Sequence, residues 1–364
     1  MDLSKFKSLS NLPGLSSFEK SVVSQIESNL KEKNLELKKD GIGSLIARKK
    51  PNFSNTKVKL MFATHIDEVG FIVEDIRDNF LKLSPVGSTW THLVVGQIYQ
   101  LVNKEGKIYQ GIISSPATHG RNQEEKSKTL SQDEIYLDLG IENEDIDRLK
   151  IEIGDQVVPY APDINLANDK FFMSKAIDNR ISAFIGQEIL TNEIKNKNDL
   201  HWAFTVQEEP GLRGARTVTD IIQPELAFAI DTTLAGDTIF DKNSVKLGGG
   251  VVLSFIDSNS IAHRGLVRWV ESLCEENNIK YQYAVFNKGG TDSGNIHKSL
   301  SGIINMSLSI PVRYMHTNHT LANTEDFDNC LKLVKRIIES LDEKELSKIK
   351  DLLWKIKLIK WLIP

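Results

Sequence analysis

The sequence predicts an α/β domain interrupted by an inserted β module. Three observations predict it. Apolar runs of strand length alternate with helical apolar spacing in the first 70 residues and again after residue 170. Between residues 70 and 165 the texture changes to short β-like runs separated by turns. Acids and histidines also stand repeatedly where an apolar strand ends, which is where open α/β sheets bind ligands.

In chain order, Ser16 and Ser17 are placed to cap a helix carrying Val22, Val23, Ile26 and Leu30. Residues 42–47 and 58–63 read as strands, the second ending in Thr64-His65-Ile66-Asp67-Glu68-Val69-Gly70. His65 and Asp67 are two apart, so an extended backbone puts them on one face. The inserted region contributes short runs at 80–83, 96–102, 108–113, 135–139 and 156–158, the mark of a small barrel or sandwich. Within it, the charged segment 121–132 reads as an exposed loop, and His92 and His119 as surface or packing histidines. Asp178 then opens a helix marked by Ile181, Phe184, Ile185 and Ile189, where it could serve as a cap or meet a cation.

The strand at 202–206 runs into Gln207-Glu208-Glu209-Pro210-Gly211, and the strand at 226–230 runs into Asp231. A helix follows with Leu266, Val267, Val270, Leu273 and Cys274, then a strand at 281–286 and the loop Gly289-Gly290-Thr291-Asp292. That loop lacks the Lys-Ser/Thr of a phosphate-binding P-loop. A last strand at 303–308 leads to Arg313-Tyr314-Met315-His316, and a helix with Phe327, Leu331, Val334, Ile338 and Leu341 closes the domain. The tail at 351–364 carries a helical stripe of Leu352, Leu353, Ile356 and Ile359, with Trp354 and Trp361 on other sides among lysines; a packed helix or subunit contact suits it better than a membrane surface.

Composition narrows the function. A chain of 364 residues, 40% hydrophobic and 26% charged, can bury a core without disulfides, and Cys274 and Cys330 fit buried thiols in a reducing cytoplasm. A net charge of -4 offers no footprint for nucleic acid, and no apolar run is long enough to span a membrane. Five elements share one grammar: His65 with Asp67, Asp178, Glu208 with Glu209, Asp231, and His316. Carboxylate and imidazole without thiolate suit zinc, cobalt or manganese in a hydrolytic site. The acids suffice for two ions, which in such sites lie ~3.5–4 Å apart.

Six ordered stretches carry a resemblance: residues 65–70, 175–180, 207–215, 229–231, 289–292 and 313–316. With them the chain resembles the tetrahedral (TET) metallo-aminopeptidases, which include glutamyl and deblocking aminopeptidases and proteins labelled endoglucanase M. The resemblance covers about residues 5–345. It implies a mixed sheet between helices with an inserted PDZ-like β-barrel module at 70–165, and a discontinuous catalytic domain at 1–69 and 166–350. It implies two divalent metal ions: Asp178 bridging them, His65 and Asp231 completing one, Glu209 and His316 the other. Glu208 is then the general base that activates a metal-bridged water against the peptide carbonyl, and Asp67 orients His65. Peptides are the implied substrates, with a glutamyl or aspartyl N-terminus suggested by residues 317–323. The implied assembly is a homo-oligomer, a dodecamer built from dimers, with the module pairing subunits and limiting access. Pro210 departs from the family's usual valine but carries no ligand. Two other chemistries stay open. A metal-dependent deacetylase or amidohydrolase could use the same site. A glycosidase needs only paired carboxylates, which leaves His65 and His316 without a role.

Overall fold

The computed structural model describes residues 1–52, 58–115, 117–120, 122–285 and 289–351. The tail expected at 351–364 therefore lies, beyond Asp351, outside the described residues. The larger part is a mixed sheet flanked by helices. Its strands run side by side in the order Glu36–Lys39, Leu45–Lys49, Asp199–Thr205, Lys59–His65, Leu226–Leu234, Ile304–Arg313, Val251–Ile256 and Tyr281–Val285. The four in the middle, from Asp199–Thr205 to Ile304–Arg313, are mutually parallel, so their carboxyl ends share one rim. A short pair, Phe171–Ser174 with Thr320–Asn323, adds to the far side of Ile304–Arg313.

Alternation along these strands sorts large side chains from small. Leu200, Trp202 and Phe204, with Leu60, Phe62, Leu226, Phe228 and Ile230, join the large core under helices Leu3–Ser10, Lys20–Leu30, Ile177–Thr191 and Thr324–Ser340. Phe62 stacks between Trp202 and Phe228 at centroid distances of 5.0 and 5.3 Å, the three being cross-strand partners in register. The opposite face shows Met61, Ala63, Ala203, Ala227 and Ala229, small enough for helix Arg213–Ile222 to approach through Ala215 and Val218. Such a buried parallel sheet needs cover on both faces. Cys274 and Cys330 lie buried in this domain as free thiols.

The inserted region closes into a six-stranded antiparallel barrel: Gly70–Arg77, Phe80–Val86, Tyr136–Asp138, Ile108–Ile113, Ile98–Val102 and Gln156–Pro159. Phe71, Val73, Leu81, Leu83, Tyr99, Leu101, Leu137 and Val157 fill it, a core separate from that of the sheet. His92 and His119 are exposed; of the segment expected as a loop at 121–132, Arg121 lies outside the described residues, Gln123–Ser127 forms a short helix instead, and Ser127, Lys128 and Thr129 are exposed. Closure removes the sheet edges that a free module would expose.

Candidate metal centre

Parallel pairing builds the rim. Thr205 is level with His65 and Ala229 with Ala63, so two residues beyond that pair Asp231 stands beside His65. After Thr205 the chain turns sharply. Gln207 adopts φ 55, and the Glu208 carbonyl accepts from the amides of Gly211 and Leu212. Glu208 and Glu209 thereby diverge. Asp178 follows the strand Phe171–Ser174, and its own φ/ψ of -76 and 106 are extended, so regular helix begins only after Asn179. The Asn179 side chain donates to the Ile230 carbonyl, tying this segment to the strand that carries Asp231. His316 sits at φ 58 in a turn just past Ile304–Arg313.

These side chains converge. Asp178 presents one oxygen to each histidine: Oδ1 lies 3.2 Å from His65 Nε2, and Oδ2 lies 3.2 Å from His316 Nε2. Asp231 and Glu208 approach His65 Nε2 at 3.5 and 3.9 Å, and Glu209 lies 3.3 Å from His316 Nε2. Two groups result, His65 with Glu208 and Asp231, and His316 with Asp178 and Glu209, the donor atoms in each lying within 4.8 Å of one another. Each offers one imidazole and two carboxylates with no sulfur, a donor set that fits a hard or borderline divalent cation.

Asp67 organises the cluster from behind. Its Oδ1 lies 3.4 Å from His65 Nδ1, and its two oxygens accept from the Glu208 and Glu209 amides at 3.1 Å. A proton on Nδ1, facing Asp67, would leave Nε2 to meet a cation at the cluster. Ser16 donates to Asp67 Oδ2 at 2.6 Å. This corrects the expectation that Ser16 and Ser17 cap a helix: the N-cap of Lys20–Leu30 is Glu19, and Ser17 adopts φ 78. Asp231 accepts from the Thr232 amide.

Electrostatics follow the crowding of acids. Burial pushes the Glu208 carboxyl well above its usual range, with Asp231 and Glu209 adding to the rise and His65 opposing it. Burial pulls His316 down, but Glu209 and Asp178 override it and raise its pKa to about 11. Asp178 falls well below the carboxylate range because both histidines outweigh its burial. The pocket thus favours positive charge.

Several supporting residues escaped sequence reasoning. Lys175 Nζ, fully buried, donates to both oxygens of Glu68 at 2.6 and 2.7 Å, and Gly14 N–H donates to the same carboxylate. Arg180 donates to the Ile66, Leu9 and Leu12 carbonyls. Asp292 is buried and accepts from Thr205 at 2.5 Å. His316 Nδ1 donates to the Ser88 carbonyl at 2.9 Å. A wider cleft bordered by Arg48, Lys50, Asn52 and Asn192 shares no residue with the cluster.

The fold and this paired histidine–carboxylate cluster define a hydrolase of the metallopeptidase kind. Residues 43–333 match the M42 glutamyl aminopeptidase family, and the chain belongs to that family. It is 31% identical over 357 residues to the glutamyl aminopeptidase of Lactococcus lactis, covering 95% of this chain and 98% of that one. It is 28% identical over 347 residues to the lysyl aminopeptidase of Pyrococcus furiosus, covering 94% and 98%. A TET aminopeptidase from a marine-sediment thaumarchaeon superposes with a TM-score of 0.90 at 29% identity, over 95% of this chain and 99% of the other. A TET peptidase of Pyrococcus horikoshii, able to assemble into a tetrahedron or a large octahedral shell, gives 0.83 at 26%, over 93% and 99%. The chain is a peptide-bond hydrolase of the aminopeptidase type, and its family implies divalent metals. Among the described residues no helix is long and apolar enough to cross a membrane.

Proposed function

We propose that the protein is a dinuclear metallo-aminopeptidase that removes N-terminal residues from peptides. The observation that carries this reading is Asp178, with one carboxylate oxygen turned to each of two histidines. In it Asp178, His65, Asp231, His316 and Glu209 would hold the ions, with His65 and Asp231 on one side of Asp178 and His316 and Glu209 on the other. Two divalent ions, zinc or cobalt in the first instance and manganese as a third choice, would polarise the scissile carbonyl and acidify a water when bound. Glu208 is the most distant carboxylate of the His65 group, with Oε2 3.9 Å from Nε2 against 3.5 Å for Asp231, and in this reading it serves as the base rather than a ligand. It takes a proton from the nucleophile and returns it to the leaving amine. Asp67 fixes the tautomer of His65. A glutamyl or aspartyl N-terminus is the preferred substrate, supported by the likeness to the Lactococcus glutamyl enzyme.

Residues 1–69 with 166–350 act as the catalytic domain, and 70–165 as a module for subunit pairing and access. The protein works in the cytoplasm as a homo-oligomer, a dodecamer built from dimers. The apolar outer face of the barrel, described below, supports assembly. Chelation with EDTA is expected to abolish release of N-terminal residues from a peptide panel, and zinc or cobalt to restore it. Glutamyl substrates are expected to exceed lysyl ones in kcat/KM. Full activity in a rigorously metal-free preparation would remove the reading.

A further inference from the structure

The inserted barrel touches the metal cluster directly. Strand Phe80–Val86 ends in Gly87-Ser88-Thr89, and the Ser88 carbonyl accepts the proton on His316 Nδ1 at 2.9 Å. A carbonyl can only accept, so this contact fixes the proton on Nδ1 and leaves Nε2 as the donor atom facing Asp178 and Glu209. Gly87 brings that carbonyl into place. Its φ is +79, and a Cβ there would lie 2.7 Å from Val69 Cγ1, 3.2 Å from Glu209 Cβ and 3.4 Å from Glu209 Oε2. The backbone therefore passes as close to Glu209 as a glycine allows. The turn that carries His316 is held to the same barrel: the Asn318 side chain donates to the Ile98 and Tyr160 carbonyls at 2.8 and 3.0 Å. Tyr314 and His316 adopt φ 60 and 58, so this turn depends on such outside ties.

We infer that the Gly87–Ser88 loop of the barrel is a positioning element for the ion held by His316, Glu209 and Asp178. The inference rests on the reading of those residues as ligands. It gives the module a part in the metal centre itself, beyond subunit pairing and access. His65 has no such tie: its Nδ1 faces Asp67, a neighbour on its own strand end. Disturbing the loop therefore affects one ion and spares the other.

A matched pair of glycines makes the test. Gly96, also in the barrel region, has φ +77, and among the described residues nothing lies within 4 Å of a Cβ built on it. Gly87→Ala and Gly96→Ala thus carry the same backbone strain, and only the first meets Glu209. The purified full chain would be stripped and titrated with Co(II), with elemental analysis and the visible absorption of bound cobalt as readouts. Two ions are expected in wild type and Gly96→Ala. Gly87→Ala is expected to keep one and to bind the other at least roughly tenfold more weakly, the usual size of such supporting effects. Unfolding of the stripped proteins checks that both variants fold. If Gly87→Ala does not, a single glycine inserted after Ser88 shifts the carbonyl without adding bulk and must lose the same ion. Two ions of wild-type affinity in the folded loop variants would overturn the inference. No ion in wild type would instead sink the ligand assignment on which it rests.

Discussion

Two carboxylates of the cluster do different work because of which atoms they face. Asp178 is reached from both sides by imidazoles, whereas Glu208 belongs to one group alone and lies farther from His65 Nε2, at 3.9 Å, than Asp178 or Asp231. Replacing Asp178 by Asn is therefore expected to lose both ions. Glu208→Gln should keep both while kcat falls by roughly 10²–10⁴, the range of a lost acid–base group. Metal analysis beside kcat on the two variants decides it, and equal metal loss would reject Glu208 as base. At this scale much was legible in the sequence. His65 and Asp67 share a face because strands alternate, and Asp231 announces itself at the end of an apolar run. The braces were not legible. Ser16 reaches Asp67 across 51 positions and Ser88 reaches His316 across 228. Ser88 acts through its backbone carbonyl, which every residue type possesses, so no side-chain pattern could mark it.

At the level of elements, helix Thr324–Ser340 illustrates how a buried acid can serve packing. Asp326 in its first turn accepts from the amides of Gly248 and Gly250, pinning the loop that leads into strand Val251–Ile256. Burial pushes its carboxyl up to about 6, against the two amide bonds that favour the ionised form. The folded chain then holds a proton more tightly than the unfolded one. Asp326 contributes stability that is full below about pH 4 and is lost as the pH rises through about 6, by on the order of 2–3 kcal/mol. Asp326→Asn is expected to flatten the pH dependence of unfolding between those limits. An unchanged slope in urea melts at pH 4, 5 and 6 would show that this carboxyl is not the source. The sheet order, by contrast, could not be read from the sequence: Leu45–Lys49 pairs with Asp199–Thr205 across the whole barrel insertion, and only register shows it.

For the whole molecule the barrel has two sides. One holds His316 and its turn through the Ser88, Ile98 and Tyr160 carbonyls. The other is the outer face of the hairpin Ile98–Val102 and Ile108–Ile113, where Ile98 pairs with Ile112 and Val102 with Ile108. Ile98, Ile108 and Ile112 are 45, 49 and 46% exposed, and Trp90 is 61% exposed. Exposed apolar side chains grouped on one hairpin face mark an interaction surface, and closed symmetry is the common outcome for identical subunits. The two sides share one strand, so a subunit seated on Ile98 bears on the same backbone that ties Asn318 and, through it, the turn of His316. Ile108→Glu combined with Ile112→Glu is expected to reduce particle mass in light scattering. The separated subunits should still cleave short peptides and should accept longer ones more readily, because enclosure no longer filters them. A particle mass equal to wild type at micromolar concentration would show that this face is not the subunit contact.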